Sequence, residues 1–268
     1  MGYRLFKIVA IGCGKATPTL SIRYQLSPDS PKTDFAFVSP TYPSDALALI
    51  NAARMTATAA VFRNLHLSVL QSALPDVLAM GSLRAIRFDQ CRMSDLLMSL
   101  DSVKKEALKK IEATALENTE MTLKQLMTFL EKFSGLKILT LTGVVIVYPE
   151  CAPPIASPCL SLNTLTFSPR PTSFNMPIWM GKLLSQLFPN ITKMDLSSFP
   201  HQQAQLLPRF VLEFNHGVRS KGKVAIILGQ HPFALHENTW NSLNVIIQRA
   251  DFQIDAAWKM DKLTVSDA

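Results

Sequence analysis

Between Phe62 and Val265 the chain repeats one short pattern, in which apolar residues stand at the first, fourth and sixth positions. Successive copies begin 21, 25, 28, 26, 29, 32 and 37 residues apart. This spacing predicts a short strand in each copy, and a drifting period of this length indicates a repeated structural unit. The copies are Phe62-Leu65-Leu67, Leu83-Ile86-Phe88, Leu108-Ile111-Ala113, Leu136-Leu139-Leu141, Leu162-Leu165-Phe167, Ile191-Met194-Leu196, the degraded Lys223-Ile226-Leu228 and Met260-Leu263-Val265.

Apolar residues at helical spacing follow or precede most of these copies. Each such stripe must be buried against another element, and a row of short parallel strands offers that surface. Between Val144 and Leu160 there is no stripe but a group of prolines, which predicts an irregular connection. The stripes are Leu70, Ala73, Leu74 and Val77; Met93, Leu96, Leu97 and Leu100; Leu126, Phe129, Leu130 and Phe133; Met180, Leu183, Leu184 and Leu187; Leu207, Phe210, Val211 and Phe214; and Leu243, Ile246, Ile247 and Ala250.

Polar residues stand between the apolar positions of the predicted strands, for example Lys137, Thr140 and Asp195. Strands covered by helices on both faces are nearly continuous apolar runs, so this alternation indicates a sheet with one hydrated face. The sequence therefore predicts an α/β fold of the solenoid kind, in which a curved parallel sheet carries helices on its outer face only.

Two segments resemble a known family. The segment Leu83–Cys91 is similar to the leucine-rich-repeat consensus LxxLxLxxN/C, and Phe188–Ser198 is similar to the FPNLxxLDLS phrase of the same superfamily. The long, irregular units resemble its F-box and ribonuclease-inhibitor-like branches. The resemblance runs from about Ala59 to the C-terminus and implies a leucine-rich-repeat solenoid. At the position of Cys91 the other copies carry Leu70, Leu116, Val144, Arg170 and Phe199, so no continuous asparagine ladder is expected.

Residues 1–58 do not follow the repeat. Ser21 to Leu26 and Asp34 to Val38 predict two strands joined by a turn from Ser27 to Lys32, and a helix is predicted from about Ala46 to Ala60. This segment is either a cap on the open end of the solenoid or a small separate domain. The predicted organisation is thus residues 1–58 as cap or small α/β segment and residues 59–268 as the repeat domain.

The composition places few limits on function. The formal net charge of the 268 residues is +7, but the basic residues are scattered along the chain. The four cysteines form no paired motif, which favours reduced thiols and a cytoplasmic or nuclear protein. No apolar run reaches the roughly 20 residues of a membrane span, so no membrane association is expected.

The candidate motif for catalysis or nucleotide binding is the turn Gly12–Thr17. A phosphate-binding loop needs an earlier glycine where Val9 stands and a hydroxyl where Ala16 stands. No histidine lies in an HExxH motif, and no serine or cysteine lies in a nucleophile signature. The sequence therefore favours a protein that is not an enzyme and binds no cofactor or metal. An α/β nucleotide-binding enzyme that uses Gly12–Thr17 is the alternative.

The hydrated face of the predicted sheet is the candidate binding surface, and a protein partner fits its mixed polar and charged residues. It is too weakly basic and too poor in aromatic residues to favour nucleic acid. Resemblance to F-box leucine-rich-repeat proteins implies a substrate receptor of a ubiquitin ligase, with an F-box-binding ligase subunit as a further partner. The predicted partner-binding residues are His66, Arg84, Arg87, Glu112, Lys137, Thr140, Asn163, Thr166, Lys193 and Asp195.

Overall fold

The computed structural model describes residues 19–27, 30–38, 58–65, 67–170, 176–196, 206, 209–211, 213–214, 224–227 and 253–254. Within them the chain has the predicted α/β class, because helices connect strands that pair in parallel. The chain divides into two compact units, Met1–Leu136 and Lys137–Ala268. We call them the N-terminal unit and the C-terminal unit and describe each by itself.

In the N-terminal unit the first five strands that the structure describes pair in the order in which they follow one another along the chain. The pairing of β1 with β2 is antiparallel, whereas β2–β3, β3–β4 and β4–β5 are parallel. The elements are β1 (Thr19–Ser27), β2 (Ser30–Val38), β3 (Ala59–Arg63), α1 (Leu67–Ala79), β4 (Ala85–Asp89), α2 (Met93–Asp101), α3 (Lys105–Lys109), β5 (Ala113–Glu117), β6 (Glu120–Thr122) and α4 (Leu123–Lys132).

The strands of the C-terminal unit also pair in chain order, and every pairing between them is parallel where the structure describes it. A helical stretch at residues 209–211 and 213–214 packs Phe210 on Phe167, with ring centroids 6.1 Å apart. The named elements are β7 (Ile138–Val147), β8 (Thr164–Pro169), α5 (Met180–Leu187), β9 (Lys193–Asp195), β10 (Ala225–Ile227) and β11 (Gln253–Ile254).

Every second residue of β3, β4 and β5 is buried beneath the helices. The buried side chains are Ala60, Phe62, Ile86, Phe88, Thr114 and Leu116, and their neighbours along each strand are mostly half-exposed. Phe88 stacks on Phe62 at 5.4 Å and meets the edge of Phe129 of α4 at 6.2 Å. Helix α1 packs on α2 and α2 on α4. A strand order without reversal places right-handed crossover helices on one face.

The apolar helical stripes are confirmed where the structure describes them. All the stripe residues of α1, α4 and α5 are buried, and in α2 only Leu97 is half-exposed. The proline-rich stretch after β7 contains no helix, as predicted, because residues 148–163 are irregular or turn. The predicted stripe from Leu243 to Ala250 lies outside the described residues.

The first copy of the repeat is displaced from its predicted position. Phe62 pairs with Phe88, which is the third apolar residue of its own copy. The first strand is therefore Ala59–Arg63, and the prediction of a strand from Phe62 to Leu67 is wrong. Alanine is a weak strand former, so the two alanines before Phe62 concealed the strand in the sequence.

The third copy is also displaced. Leu116 pairs with Phe88, so the strand is β5, and Ile111 stands in the place of Leu83. The prediction placed Leu108 at the start of this strand, but Leu108 lies in α3. Residues 104–110 are mostly lysine, glutamate, alanine and leucine, which are among the strongest helix formers.

The N-terminal prediction holds for both strands, which extend further than expected. Ser27 pairs with Ser30, so most of the turn predicted from Ser27 to Lys32 belongs to strands. Ala59 and Ala60, the predicted end of a helix, lie in β3. The rest of that helix lies outside the described residues. Because β2 pairs with β3, this hairpin extends the sheet. The division at residues 58 and 59 stays a prediction.

The same backbone contacts recur at the start of successive strands. The carbonyl of Thr58 accepts the amides of Arg84 and Ala85 at 2.9 and 3.1 Å. The carbonyl of Arg84 in turn accepts the amides of Glu112 and Ala113 at 2.7 and 3.1 Å. In the C-terminal unit the carbonyls of Lys137 and Asn163 each accept two amides in the same way. These shared carbonyls fix the register of each strand against the next.

The end of each strand is also repeated. Asn64, Gln90 and Asn118 have φ values of 50°, 56° and 49°, and each follows its strand directly. Their left-handed backbone turns the chain towards the helices, and asparagine tolerates this conformation better than most residues do. The amides of Asn64 and Gln90 donate to the carbonyls of Asp89 and Glu117, both at 2.9 Å. The turn therefore continues the ladder of the sheet.

We expect Thr114→Val to raise the free energy of unfolding by about 1 kcal/mol, because the Thr114 hydroxyl is buried and has no hydrogen-bond partner among the residues that the structure describes. The matched control is Thr122→Val. The Thr122 hydroxyl accepts the Gln125 amide at 3.1 Å at the start of α4, so its loss is expected to lower stability by about 1 kcal/mol. Urea denaturation measures both, and changes of equal sign would contradict the assignment.

Gly135→Ala is expected to destabilise the protein by about 1–3 kcal/mol, because the new Cβ would lie 2.0 Å from the carbonyl oxygen of Lys109. A backbone atom cannot move aside as a side chain does. The control is Gly81→Ala, where the added Cβ meets no atom within 4 Å. Thermal denaturation should separate the two variants, and equal melting temperatures would show that the chain does not approach so closely at Gly135.

Candidate functional site

The side of β3, β4 and β5 opposite the helices is the open face of the N-terminal unit. Most of its side chains are half-exposed or exposed. The strand register arranges them in three rows across the strands: Ala59, Ala85 and Ala113; Val61, Arg87 and Ala115; and Arg63, Asp89 and Glu117. The first two rows are small or apolar apart from Arg87, and the third is charged. The open face therefore has mostly short side chains, with charged side chains at the C-terminal end of the strands.

Asp89 is the centre of an ion-pair cluster at this end. Its Oδ2 accepts Nε of Arg63 at 2.7 Å, and its Oδ1 accepts Nδ2 of Asn118 at 2.9 Å. Nη2 of Arg87 lies 3.9 Å from Oδ2 and forms a closer ion pair with Glu117. Three strands therefore contribute to one cluster, which consists of Arg63, Arg87, Asp89, Glu117 and Asn118.

The charges of the cluster differ in depth. The side chains of Arg63 and Arg87 are 48% and 42% exposed, whereas those of Asp89 and Glu117 are 3% and 15% exposed. The carboxylates are therefore buried or nearly so, whereas the guanidinium groups are accessible from the open face. A molecule that approaches the open face therefore meets positive charge, although the four charges sum to zero.

Burial raises the pKa of Glu117 above its ordinary range, and the nearby Asp89 raises it further. The pairing with Arg87 acts in the opposite direction. Desolvation therefore outweighs the ion pair at this carboxyl group. The arrangement holds a carboxylate in place beside Arg87 at the expense of part of its solvation.

Two predicted site residues of the N-terminal unit lie away from the open face. Arg84 precedes β4, and its Nη1 donates to the carbonyls of Gly81 and Leu83, both at 2.8 Å. Glu112 was expected beside Arg87, but the register places Ala115 there. This correction follows from the displaced third copy. Arg87 does lie on the open face, and His66 lies outside the described residues.

The predicted row of the C-terminal unit is present in the structure. Thr140 pairs with Thr166 and Thr166 with Asp195, and all three are half-exposed. Lys137 and Asn163 are exposed and precede their strands, while Lys193 is exposed and begins β9. The six predicted residues of this unit therefore lie in or beside one set of parallel strands. Their role in partner binding stays a prediction.

Asp89, Glu117 and Asn118 were not among the predicted site residues. A signal existed, because Arg63, Asp89 and Glu117 each follow the last apolar residue of their strand. It was hidden by the displaced first and third copies, which put these residues at unrelated positions of the pattern. Of the residues in the cluster, only Arg87 was among the predicted partner-binding residues, and its role in binding stays a prediction.

The prediction that the chain has no catalytic or metal site was based mostly on residues that lie outside the described part of the chain. The turn Gly12–Thr17 and all five histidines lie there. Among the described residues no group of three histidine, cysteine or acidic side chains could hold a metal ion. Burial raises the pKa of Cys91 to about 11, and its thiol lies 3.5 Å from the Phe62 carbonyl. Such a thiol is a structural group and a poor nucleophile.

A scan of the sequence against protein-family models and a search of curated proteins each found no match. The assignment of this chain therefore depends on its own residues. In the described ranges no helix combines the length and the apolar composition that crossing a bilayer requires.

We expect Asp89→Asn to lower the free energy of unfolding by about 2 kcal/mol, because a buried carboxylate with charged hydrogen bonds is replaced by a neutral amide. The control is Asp101→Asn, whose ion pair with Lys132 has its carboxylate 69% exposed. An exposed pair contributes about 0–1 kcal/mol. Denaturant unfolding of both variants checks this, and equal losses would contradict the central position of Asp89.

The raised pKa of Glu117 predicts a dependence of stability on pH. The folded state binds the proton of Glu117 more tightly than the unfolded state does. The protonated carboxyl group therefore contributes fully to the free energy of unfolding below the ordinary pKa of about 4.5, and this contribution is lost as the pH rises through the pKa of the folded state. The stability of the wild type relative to Glu117→Gln should therefore fall as the pH rises above about 4.5. Urea titrations of both proteins measure it, and a difference that grows with pH would refute the direction.

Proposed function

We propose that this chain is a protein-binding module of the leucine-rich-repeat type, which holds a protein partner on the hydrated face of its parallel sheet. In this proposal the strand-and-helix units stack as a solenoid, with the helices on the outer side. Solenoids of this kind use an extended sheet surface for binding. The observation that carries the proposal is the alternation along β3, β4 and β5, which buries one face beneath helices and leaves the other accessible.

The repeated backbone contacts support this architecture. Within each unit, the carbonyls of Thr58, Arg84, Lys137 and Asn163 each accept two amides of the next strand or of the residue before it. A left-handed residue directly follows β3, β4 and β5. Cys91 occupies the N/C position of the consensus that Leu83–Cys91 resembles, and its thiol lies near the carbonyls of Phe62 and Asp89 at 3.5 and 3.6 Å. A side chain at this position that bonds the neighbouring strand favours stacked repeats. The reduced state of its thiol suits a cytoplasmic or nuclear protein.

The resemblance to F-box leucine-rich-repeat proteins extends the proposal to a substrate receptor of a ubiquitin ligase. Such a receptor would also bind the F-box-binding subunit of the ligase. Affinity purification of the full chain from cells tests this extension, with immunodetection of that subunit. Its absence from the purified material would remove the ligase role and leave the binding module intact.

Ala115→Trp tests the use of the open face. Ala115 pairs with Arg87 in the middle row, so a large ring at this position would cover the small side chains beside Arg87. The control is Ala79→Trp, the same change at an exposed position of α1. Proximity labelling with each chain fused to a biotin ligase should recover one set of proteins from wild type and control. That set should be depleted at least about tenfold for Ala115→Trp. Retention of the whole set would refute binding at this face.

A further inference from the structure

The guanidinium group of Arg63 has donor atoms that the described residues do not use. Its Nε donates to Asp89, and no acceptor in the described part of the chain bonds Nη1 or Nη2. The side chain is 48% exposed. The bond to Asp89 fixes the orientation of the planar group, so its outer edge is held in one direction before any ligand arrives. A planar edge with two parallel N–H groups matches the two oxygens of a carboxylate.

Arg87 provides a second positive group beside the first. Its Nη2 contacts Glu117 and lies 3.9 Å from the same Asp89 oxygen that Arg63 bonds. Its Nε is buried and has no hydrogen-bond partner among the described residues. Both guanidinium groups therefore contact the Asp89 carboxylate, and Arg87 also pairs with Glu117. The four charges sum to zero, but the two guanidinium groups are the more exposed members of the cluster.

The surroundings leave room for a chain to reach these groups. Apart from Arg87, the other two rows of the open face contain only alanine and valine, namely Ala59, Ala85, Ala113, Val61 and Ala115. Short side chains keep this part of the open face low, so an extended segment can lie on it without displacing a large residue. The carboxylates are buried and the guanidinium groups are partly exposed. The charged end of the open face therefore attracts negative groups and repels positive ones.

We propose that the partner on the open face presents an acidic segment, one carboxylate of which binds the outer edge of Arg63 while Arg87 adds electrostatic attraction. This inference rests on the proposed function and specifies the chemistry of its ligand. Asp89 acts here as a positioning residue, since it orients Arg63 and does not touch the ligand. Selectivity follows from the same geometry, because a neutral amide offers only one acceptor oxygen to the two donors.

The test uses fluorescein-labelled peptides of alternating glycine and glutamate, of glycine and glutamine, and of glycine and phosphoserine, with binding to the full chain measured by fluorescence anisotropy. The glutamate peptide is expected to bind at least about tenfold more tightly than the glutamine peptide, and its affinity should fall with added salt. Equal affinity of these two peptides would overturn the proposal. Binding of the phosphoserine peptide without the glutamate peptide would overturn the assignment to a carboxylate.

The variant Arg63→Gln with Asp89→Asn removes both members of the inner ion pair and leaves the net charge unchanged. It should weaken binding of the glutamate peptide by about tenfold or more. The matched control is Asp101→Asn with Lys132→Gln, which makes the same two kinds of change at an ion pair between α2 and α4 and should leave binding unchanged. Equal effects of the two double variants would overturn the proposal.

Arg63→Lys keeps the charge and the pairing with Asp89 but removes the planar donor edge, so it serves if the double variant does not fold. A loss of severalfold in glutamate-peptide affinity is expected, and unchanged affinity would overturn the role of the edge. The two proposals can fail separately. If Ala115→Trp loses the cellular partners while Arg63→Lys and the Arg63→Gln, Asp89→Asn double variant keep them, the open face binds protein without an acidic contact.

Discussion

In β3, β4 and β5 every second residue is buried beneath the helices, and this burial determines which residues form the other face of the sheet. In β3, β4 and β5 the side chains of Phe62, Phe88 and Leu116 fill the space under α1, α2 and α4. Because side chains alternate across a strand, the residues between them must stand on the other side of the sheet. A core built in this way produces a second surface with a composition that packing does not dictate.

That second surface contains a buried carboxylate, which is unusual for a half-exposed sheet. Asp89 is tolerated there because Arg63 and Asn118 satisfy one oxygen each. The cost of sinking a carboxylate is offset by bonds that reach across three strands. The same bonds restrict the rotation of Arg63, so the group that stabilises the sheet is also one whose side chain is partly exposed on the open face.

The class of the fold was predictable from the sequence, whereas the register of the first and third copies was not. The spacing of Leu126, Phe129 and Leu130 identified α4, and the prolines after β7 identified an irregular connection. The strand pattern was less specific, because in so apolar a chain Phe62 fits both the first and the third position. Only the pairing of Phe62 with Phe88 separates these possibilities, and pairing is a long-range property.

The candidate site was predictable to the same extent. In the C-terminal unit the copies were placed correctly, and Thr140, Thr166 and Asp195 fall in one row. In the N-terminal unit the displaced copies replaced Ala115 with Glu112 and concealed Asp89 and Glu117. No local signal marks Asn118 as a partner of Asp89, because the two are 29 residues apart and meet only after the strands have paired.

Because the carbonyls of Thr58 and Arg84 each bind two amides at the start of the next strand, the alignment of the strands does not depend on the length of the chain between them. Phe62 and Phe88 are 26 residues apart and Phe88 and Leu116 are 28 apart, yet both pairs align in the same way. The longer connection also contains α3. Insertions and deletions on the helical side are therefore tolerated without shifting the sheet. In the course of evolution this side can diversify in length, while the open face changes by point substitution.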